Sequence, residues 1–321
     1  MPKVFITRQI PEAGPKLLRE AGFEVEISDF DGVLAREVLL EKIKGADAVL
    51  SLLTDKMDAA AFEAAGAQLK IVANYAVGYD NIDVKAAGEK NIIVTNTPGV
   101  LTESVAEHAV ALMLAIMHRV PESDKFMREG EFIGWAPMLF LGNDLAGKTE
   151  GLVGLGRIGA RVAEILKNGF GAYIIYADVK QNEFLEKEFN MEYKLIDDLL
   201  KEADVISLHV PMNKETNHLI SVDRLKMMKK NAYLINTSRG PVIDEISLVD
   251  ALKSGLIKGA ALDVFEGEPK TSPGLAELPN VVMTPHTASA TEETRGAMSE
   301  LAAKNIIEVL SGRPPLNQVK A

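Results

Sequence analysis

Short apolar runs and helical apolar stripes alternate along most of this chain. Val4-Phe5-Ile6 reads as a first strand, followed by a helix around Pro11 to Glu20 and a strand at Glu24 to Ile27. A helix around Arg36 to Ile43 leads to Ala48-Val49-Leu50, then to a helix near Ala59 to Ala65. Leu69 to Ala73 and Ile92 to Thr95 are further strands, with helical Val84 to Glu89 between them. Such alternation predicts a parallel sheet with helices on both faces, so these residues read as a complete small α/β domain.

The pattern then changes. A turn at Thr97-Pro98-Gly99 precedes a long helix from about Glu103 to His118, apolar nearly all round and therefore expected to be buried between domains. Asp124 to Gly130 continues as a more polar helix. Phe132 to Leu141, holding the only tryptophan (Trp135) and Pro137, reads as an irregular aromatic loop. A second α/β run extends from about Leu145 to His286. Its strands are expected at Leu152–Val153, Tyr173–Ala177, Val205–His209, Tyr233–Asn236, Ala260–Val264 and Val281–Thr284, the spacing of a six-stranded doubly wound sheet. An amphipathic last helix, Glu292 to Leu310, is expected to return to the first domain. The predicted organisation is one domain formed by residues 1–99 and 288–321, with residues 100–287 inserted into it.

Composition narrows the function. At 321 residues the length suits about two domains. A net charge of −11 argues against nucleic acid or an anionic membrane as partner, although one local arginine can still hold a small anion. The chain has no cysteine, which excludes disulfides and thiolate chemistry and fits a cytoplasmic protein. The N-terminus lacks the pattern of a signal peptide, and no apolar run reaches membrane-spanning length.

The sharpest motif lies in the second run. Leu152-Val153 leads into Gly154-Leu155-Gly156-Arg157-Ile158-Gly159, and Asp178 stands 19 residues beyond Gly159 at the end of the next apolar strand. Strand, Gly-x-Gly-x-x-Gly and helix together form a cradle for a dinucleotide pyrophosphate: a tight turn, a close backbone approach, and close helix–strand packing. The helix N-terminus adds N–H groups and a partial positive charge. A carboxylate at position 178 would accept hydrogen bonds from the adenosine ribose and repel a 2′-phosphate, which favours NAD over NADP.

Three further strand ends carry candidate chemistry. Arg239 follows the strand ending at Ile235, where a guanidinium can pair bidentately with a carboxylate; the alternative is a surface pair with Asp244 or Glu245. Glu268 follows the next strand and His286 the one after, and each alone reads as ordinary. Together they deliver a cation, an acid and an imidazole to the sheet edge that carries the glycine loop. Carbonyl reduction needs a hydride donor, a proton donor and a substrate-orienting cation. His286 suits the proton, with Glu268 to stabilise its imidazolium and hold one tautomer. The remaining histidines, His108, His118, His209 and His218, have no metal-ligand spacing, and no metal is expected. Glu150, at the start of the glycine-loop strand, is out of place there and has no account in the sequence, though solvation of the strand start would tolerate a carboxylate.

These residues resemble a known family. Asn74-Tyr75-Ala76-Val77-Gly78-Tyr79-Asp80-Asn81-Ile82-Asp83, the Gly154 to Gly159 loop, His209-Val210-Pro211, Thr237-Ser238-Arg239-Gly240, Gly267-Glu268-Pro269 and Pro285-His286 are similar, essentially end to end, to the D-isomer-specific 2-hydroxyacid dehydrogenases. The resemblance implies a Rossmann NAD-binding domain inserted into a discontinuous flavodoxin-like substrate domain, and a homodimer formed through the former. It implies that Arg239 binds substrate, Glu268 partners the histidine, and His286 is the acid/base. Backbone N–H groups at Val77 and Gly78 would hold the substrate carboxylate, with Leu52 and Trp135 near the substrate. Trp135 would reach there across a dimer.

Thr102, Gly154, Gly156, Arg157, Ile158, Gly159, Asp178, His209, Val210, Pro211, Thr216, Thr237, Ser238, Asp263 and His286 match cofactor-contacting positions. Glutamate at 268 argues against the related formate dehydrogenases, and the absence of an extension after residue 321 argues against the longer phosphoglycerate dehydrogenases. The glyoxylate/hydroxypyruvate reductase branch looks most similar, so NADH-dependent reduction of a small 2-oxo acid is expected. A D-lactate or broad 2-ketoacid reductase, a phosphoglycerate-type enzyme and a nucleotide-sensing scaffold of the co-repressor type are the alternatives.

Overall fold

The structure, a computed structural model, describes residues 1–320. It divides into two compact units, one formed by Met1–Leu101 with the C-terminal segment from Ala290, the other by Thr102–Ser289.

The first unit alternates β1 (Lys3–Ile6), α1 (Ala13–Glu20), β2 (Glu24–Ile27), α2 (Arg36–Lys42), β3 (Ala48–Ser51), α3 (Ala59–Ala65), β4 (Ile71–Asn74), α4 (Val84–Glu89) and β5 (Ile93–Thr95). All its strand pairs are parallel, in the order β2-β1-β3-β4-β5, which is flavodoxin-like. Phe5, Val49 and Val72 point to one face, where Leu39, Phe62 and Ala87 from the three middle helices cover them.

The second unit begins with α5 (Thr102–Met117) and α6 (Val120–Arg128). The break between them falls at Arg119, whose φ of 57° cannot continue a helix. Then come β6 (Thr149–Val153), α7 (Arg157–Phe170), β7 (Tyr173–Ala177), α8 (Glu183–Phe189), β8 (Glu192–Tyr193), α9 (Ile196–Glu202) and β9 (Val205–Leu208). After these follow α10 (Val222–Met227), β10 (Tyr233–Asn236), α11 (Glu245–Lys253), β11 (Gly259–Leu262) and β12 (Val281–Met283). The sheet has seven strands, not the six expected, in the order β12-β11-β10-β9-β6-β7-β8. The additional one, β8, is two residues long and pairs at the edge with Ile175 and Tyr176, too short to leave a periodic signal. From β8 to β11 the order is the Rossmann one, reversing between β6 and β9, with β12 added at the opposite edge.

Burial in this unit follows strand parity. Leu152, Ile174, Tyr176, Val205 and Ile235 pack with α5 and α7 on one face. Val153, Ile175, Ile206 and Leu234 pack with α9, α10 and α11 on the other. The all-round apolar character of α5 is accounted for here, since it meets α7, β10, β11 and β12.

Glu150 corrects an expectation. The strand begins at Thr149, and the glutamate one residue on is 0% exposed, with no hydrogen-bond partner for either carboxylate oxygen. Parity with Leu152 turns it toward the face of α5 and α7. Strand-start solvation therefore does not explain it.

The chain then returns to the first unit as α12 (Glu292–Leu310), which packs on α1 and on β3, β4 and β5. Its buried stripe includes Thr294, Ser299 and Asn305 beside Met298, Ala302 and Ile306, so the helix is less amphipathic than expected. Small and hydrogen-bonded groups allow close approach: Ser299 Oγ accepts from Gly14 N and donates to Pro11 O. Among the described residues no helix is long and apolar enough to cross a membrane.

Candidate active site

The three glycines of the loop after β6 do three different things. Gly154 has φ +95°, a conformation side chains rarely adopt, and makes the turn out of the strand. Gly156 precedes α7, no side chain caps that helix, and a Cβ there would meet open space. A Cβ on Gly159 would lie 2.1 Å from Gly154 O, so helix and loop are in direct backbone contact. An uncapped helix N-terminus beside a bare backbone is a place for an anion. Arg157 is exposed at its first turn and Ile158 half-buried.

Asp178, after β7, lies beside this loop. Its Oδ2 accepts from Leu155 N at 2.6 Å and its Oδ1 from Lys180 N at 3.4 Å, with the residue partly exposed. It thus braces the glycine loop. His209, after β9, abuts the turn from the other side: its carbonyl carbon and oxygen are the nearest atoms to a Cβ built on Gly154. Burial pushes its imidazole down to about 4, and its Nε2 has no partner, so the ring is neutral. Val210 and Pro211 follow, and Thr216 closes the turn, its hydroxyl donating to Pro211 O and accepting from Asn213 N.

Arg239, Glu268 and His286 emerge from the ends of β10, β11 and β12. Nδ1 of His286 is 3.0 Å from Glu268 Oε2, with both side chains partly exposed. Glu268 Oε1 accepts from Phe265 N. Burial works against its charge, but the hydrogen bond and charge of His286, the Phe265 amide and the charge of Arg239 outweigh it and hold the carboxyl below the usual range. The three residues are therefore brought within one another's fields. Asp244 caps α11 through Ser247, and Glu245 is buried on backbone amides of the loop carrying Glu268; both acids considered as surface partners of Arg239 have these other bonds.

Beneath the three lies a polar floor that periodicity does not announce. Asn236, fully buried, accepts from Ser238 N and Oγ and donates to Arg239 O, which shapes the Thr237–Arg239 turn. Thr237 is buried beside it, its hydroxyl without a partner. Asp263, fully buried, accepts from Thr284 Oγ1, Thr287 N and Ala288 N, with His108 Nε2 at 3.5 Å. Its desolvation is outweighed by these bonds, and its carboxyl stays low. Its carbonyl accepts from His286 N, so Asp263 fixes the turn in which His286 takes φ 54°. His108, which sequence alone does not single out, thereby supports the turn that carries His286. A helical histidine far from any motif offers no local signal of that role.

In the first unit Val77 and Gly78 follow β4, partly exposed, each with its carbonyl bound by an asparagine: Asn96 Nδ2 to Val77 O and Asn74 Nδ2 to Gly78 O, both 2.8 Å. Leu52 is half-buried after β3, its carbonyl accepting from Asn81. In the second unit Thr102 opens α5. Trp135 is 85% exposed on an irregular loop with Ile133 and Met138, which are also exposed. No group of three or more His, Cys, Asp or Glu that could hold a metal ion occurs among the described residues.

Comparison with known proteins places the chain in a family. The model of the family described as D-isomer specific 2-hydroxyacid dehydrogenase, NAD binding domain, matches residues 110–288. A glyoxylate reductase of Korarchaeum cryptofilum is 50% identical over 99% of this chain and 96% of its own length. One of Thermococcus litoralis is 52% identical with the same coverage. Among solved structures, a Thermus thermophilus protein superposes with a TM-score of 0.92 at 42% identity, covering 99% of both chains. The NADPH-dependent glyoxylate/hydroxypyruvate reductase of Sinorhizobium meliloti, solved with NADP and malonate, gives 0.88 at 34% identity over 99% of this chain and 96% of that one. With a family model over more than half of its residues and relatives of this similarity along nearly its whole length, the chain belongs to the D-isomer specific 2-hydroxyacid dehydrogenases.

Proposed function

We propose that this protein is an NADH-dependent reductase of small 2-oxo acids, with glyoxylate and hydroxypyruvate as its substrates. The observation that carries the reading is the His286–Glu268 pair within the field of Arg239, in the unit that also holds the glycine loop. The relatives named glyoxylate reductase point to the same substrate class.

The cradle fits a dinucleotide on its own geometry: open space at Gly156, an uncapped helix behind it, and an acid beside the loop. Gly154, Gly156, Arg157 and Ile158 would hold the pyrophosphate and Asp178 the ribose, with Thr102, His209, Val210, Pro211, Thr216, Thr237, Ser238 and Asp263 as the further contacts. When bound, the dihydronicotinamide supplies the hydride. Arg239 orients the substrate by its carboxylate and polarises the neighbouring carbonyl. Protonated His286 gives its proton to the carbonyl oxygen, and Glu268 holds the ring by Nδ1 so that Nε2 does so. The Val77 and Gly78 amides would bind a substrate carboxylate, and Leu52 would bound the substrate. An acid at 178 repels a 2′-phosphate, so NADH is assigned here although the Sinorhizobium meliloti relative is NADPH-dependent. The exposed apolar residues Ile133, Trp135 and Met138 suit burial against a second copy, and Trp135 would complete the partner's substrate site. A cysteine-free homodimer of this kind suits the reducing cytoplasm.

The deciding experiment is a kcat/KM panel of glyoxylate, hydroxypyruvate, pyruvate and bulkier 2-oxo acids with NADH and with NADPH. The two small substrates with NADH should lead. Preference for pyruvate or a bulkier acid would favour a broad 2-ketoacid reductase, and no turnover of any of them would overturn the reading.

A further inference from the structure

Glu245 is an acidic residue in the first turn of α11, a place where glutamate ordinarily reaches into solvent. Here it is 3% exposed and turned toward the loop after β11. Its Oε2 accepts from Glu266 N at 2.8 Å and its Oε1 from Ser272 N at 2.5 Å. Those two amides bracket Glu268. Between them the chain folds back on itself through Lys270 N to Gly267 O, and the Glu268–Pro269 peptide is cis. The bracing is reciprocal, since Glu266 Oε2 accepts from Glu245 N and Glu266 Oε1 lies 2.7 Å from His218 Nε2.

The neighbouring backbone leaves this loop little room. A Cβ on Gly240 would lie 1.9 Å from the carbonyl carbon of Phe265 and 2.4 Å from Glu266 N. The segment that presents Arg239 is thus in direct contact with the base of the Glu268 loop, and the same segment continues into Glu245. Buried carboxylates are costly unless hydrogen-bonded, and this one is bonded at both oxygens to the two sides of one functional loop.

We infer that Glu245 is a positioning residue for the proton relay: by holding residues 266–272 at both ends, it sets where the Glu268 carboxylate sits against His286. The inference rests on the roles given above to Glu268 and His286. Within the second unit the other charged or titratable groups around this pair include Arg239, Lys270 on the same loop, Glu266 with its partner His218, Asp244, and Asp263 with its partner His108.

The test follows the titration of the His286 ring by NMR in full-length wild type, Glu245→Ala, Glu245→Gln and Glu268→Gln, with the signal assigned by its loss in His286→Ala. Glu268→Gln should lower the midpoint, because the negative charge beside Nδ1 is lost. Glu245→Ala should lower it toward the same value. Glu245→Gln, which keeps one acceptor oxygen, should fall between. In a Glu268→Gln background either substitution at 245 should add nothing, because the group it positions has lost its charge. A midpoint unchanged by substitution at 245, or a shift that persists in that background, overturns the inference; the latter would mean Glu245 acts by its own charge. Should Glu245→Ala not fold, Glu245→Gln with its double variant gives the same decision. In turnover the folded 245 variants should lose kcat about tenfold, part of what a general acid contributes, with NADH binding retained. If the wild type reduced no 2-oxo acid, the proposed function would fail, while the titration would still decide the role of Glu245.

Discussion

His286 Nδ1 and Glu268 Oε2 lie 3.0 Å apart, which assigns the glutamate to one ring nitrogen and keeps Nε2 out of that pair. The pairing depends on backbone as much as on side chains. His286 takes φ 54°, and its amide is held by the carbonyl of Asp263.

Replacing Glu268 by Gln keeps a hydrogen-bond acceptor but removes the charge that favours the protonated ring. The alkaline limb of kcat/KM should move to lower pH. An unmoved limb would show that the carboxylate does not act on the histidine.

His286→Ala should lower kcat by about 10²–10⁴-fold, the range of a lost general acid. NADH affinity should stay near wild type, because the glycine loop is untouched. A kcat close to wild type would remove His286 from the proton step.

Asp178→Ser should raise kcat/KM with NADPH relative to NADH. The same change removes the acceptor for Leu155 N, so some loss with NADH itself should accompany it. Unchanged cofactor preference would mean that position 178 does not read the ribose.

Gly159→Ala places a methyl group 2.1 Å from Gly154 O, a position no real side chain tolerates. Helix α7 must move off the loop. At about 1–3 kcal/mol for overpacking, NADH binding measured by fluorescence titration should weaken about tenfold or more. Wild-type affinity would show that the close approach does not shape the cradle.

Glu150 makes a stability prediction. Burial, and secondarily the charge of Asp204, push its carboxyl well above the ordinary glutamate value of 4.5. Below that value both folded and unfolded chains hold the proton and the group costs no linkage. As pH rises, the unfolded chain releases its proton while the folded one keeps it, so stability is lost progressively up to the folded-state value. Glu150→Gln should flatten this decline. Glu150→Leu should also remove the two unmade hydrogen bonds and raise stability by about 2 kcal/mol. Denaturation followed at pH 5 and pH 8 checks both, and a wild type no less stable at pH 8 would count against the protonated buried acid.

Much of this molecule is legible in its sequence because the signals are local. Residues 152–166 carry strand, glycines and helix in one stretch, and each parallel strand of the first unit is a short apolar run between helical stripes. What escapes depends on tertiary context. The edge strand at Glu192–Tyr193 is held by Ile175 and Tyr176, not by any pattern of its own. The buried stripe of α12 contains Thr294, Ser299 and Asn305, whose polar groups periodicity counts as surface. Arg239, Glu268 and His286 stand out because strand ends are places to look. Asn236, His108 and Glu245, which hold their surroundings in shape, do not, since a bond to a distant backbone leaves no trace along the chain.

The contact at Gly240 ties two loops into one mechanical unit. With no space between this glycine and Phe265, the arginine loop and the glutamate loop cannot drift independently, and a substitution that re-aims one disturbs the other. A change in the aim of Arg239 must therefore be accommodated at Phe265 and Glu266, and through them at the loop that carries Glu268.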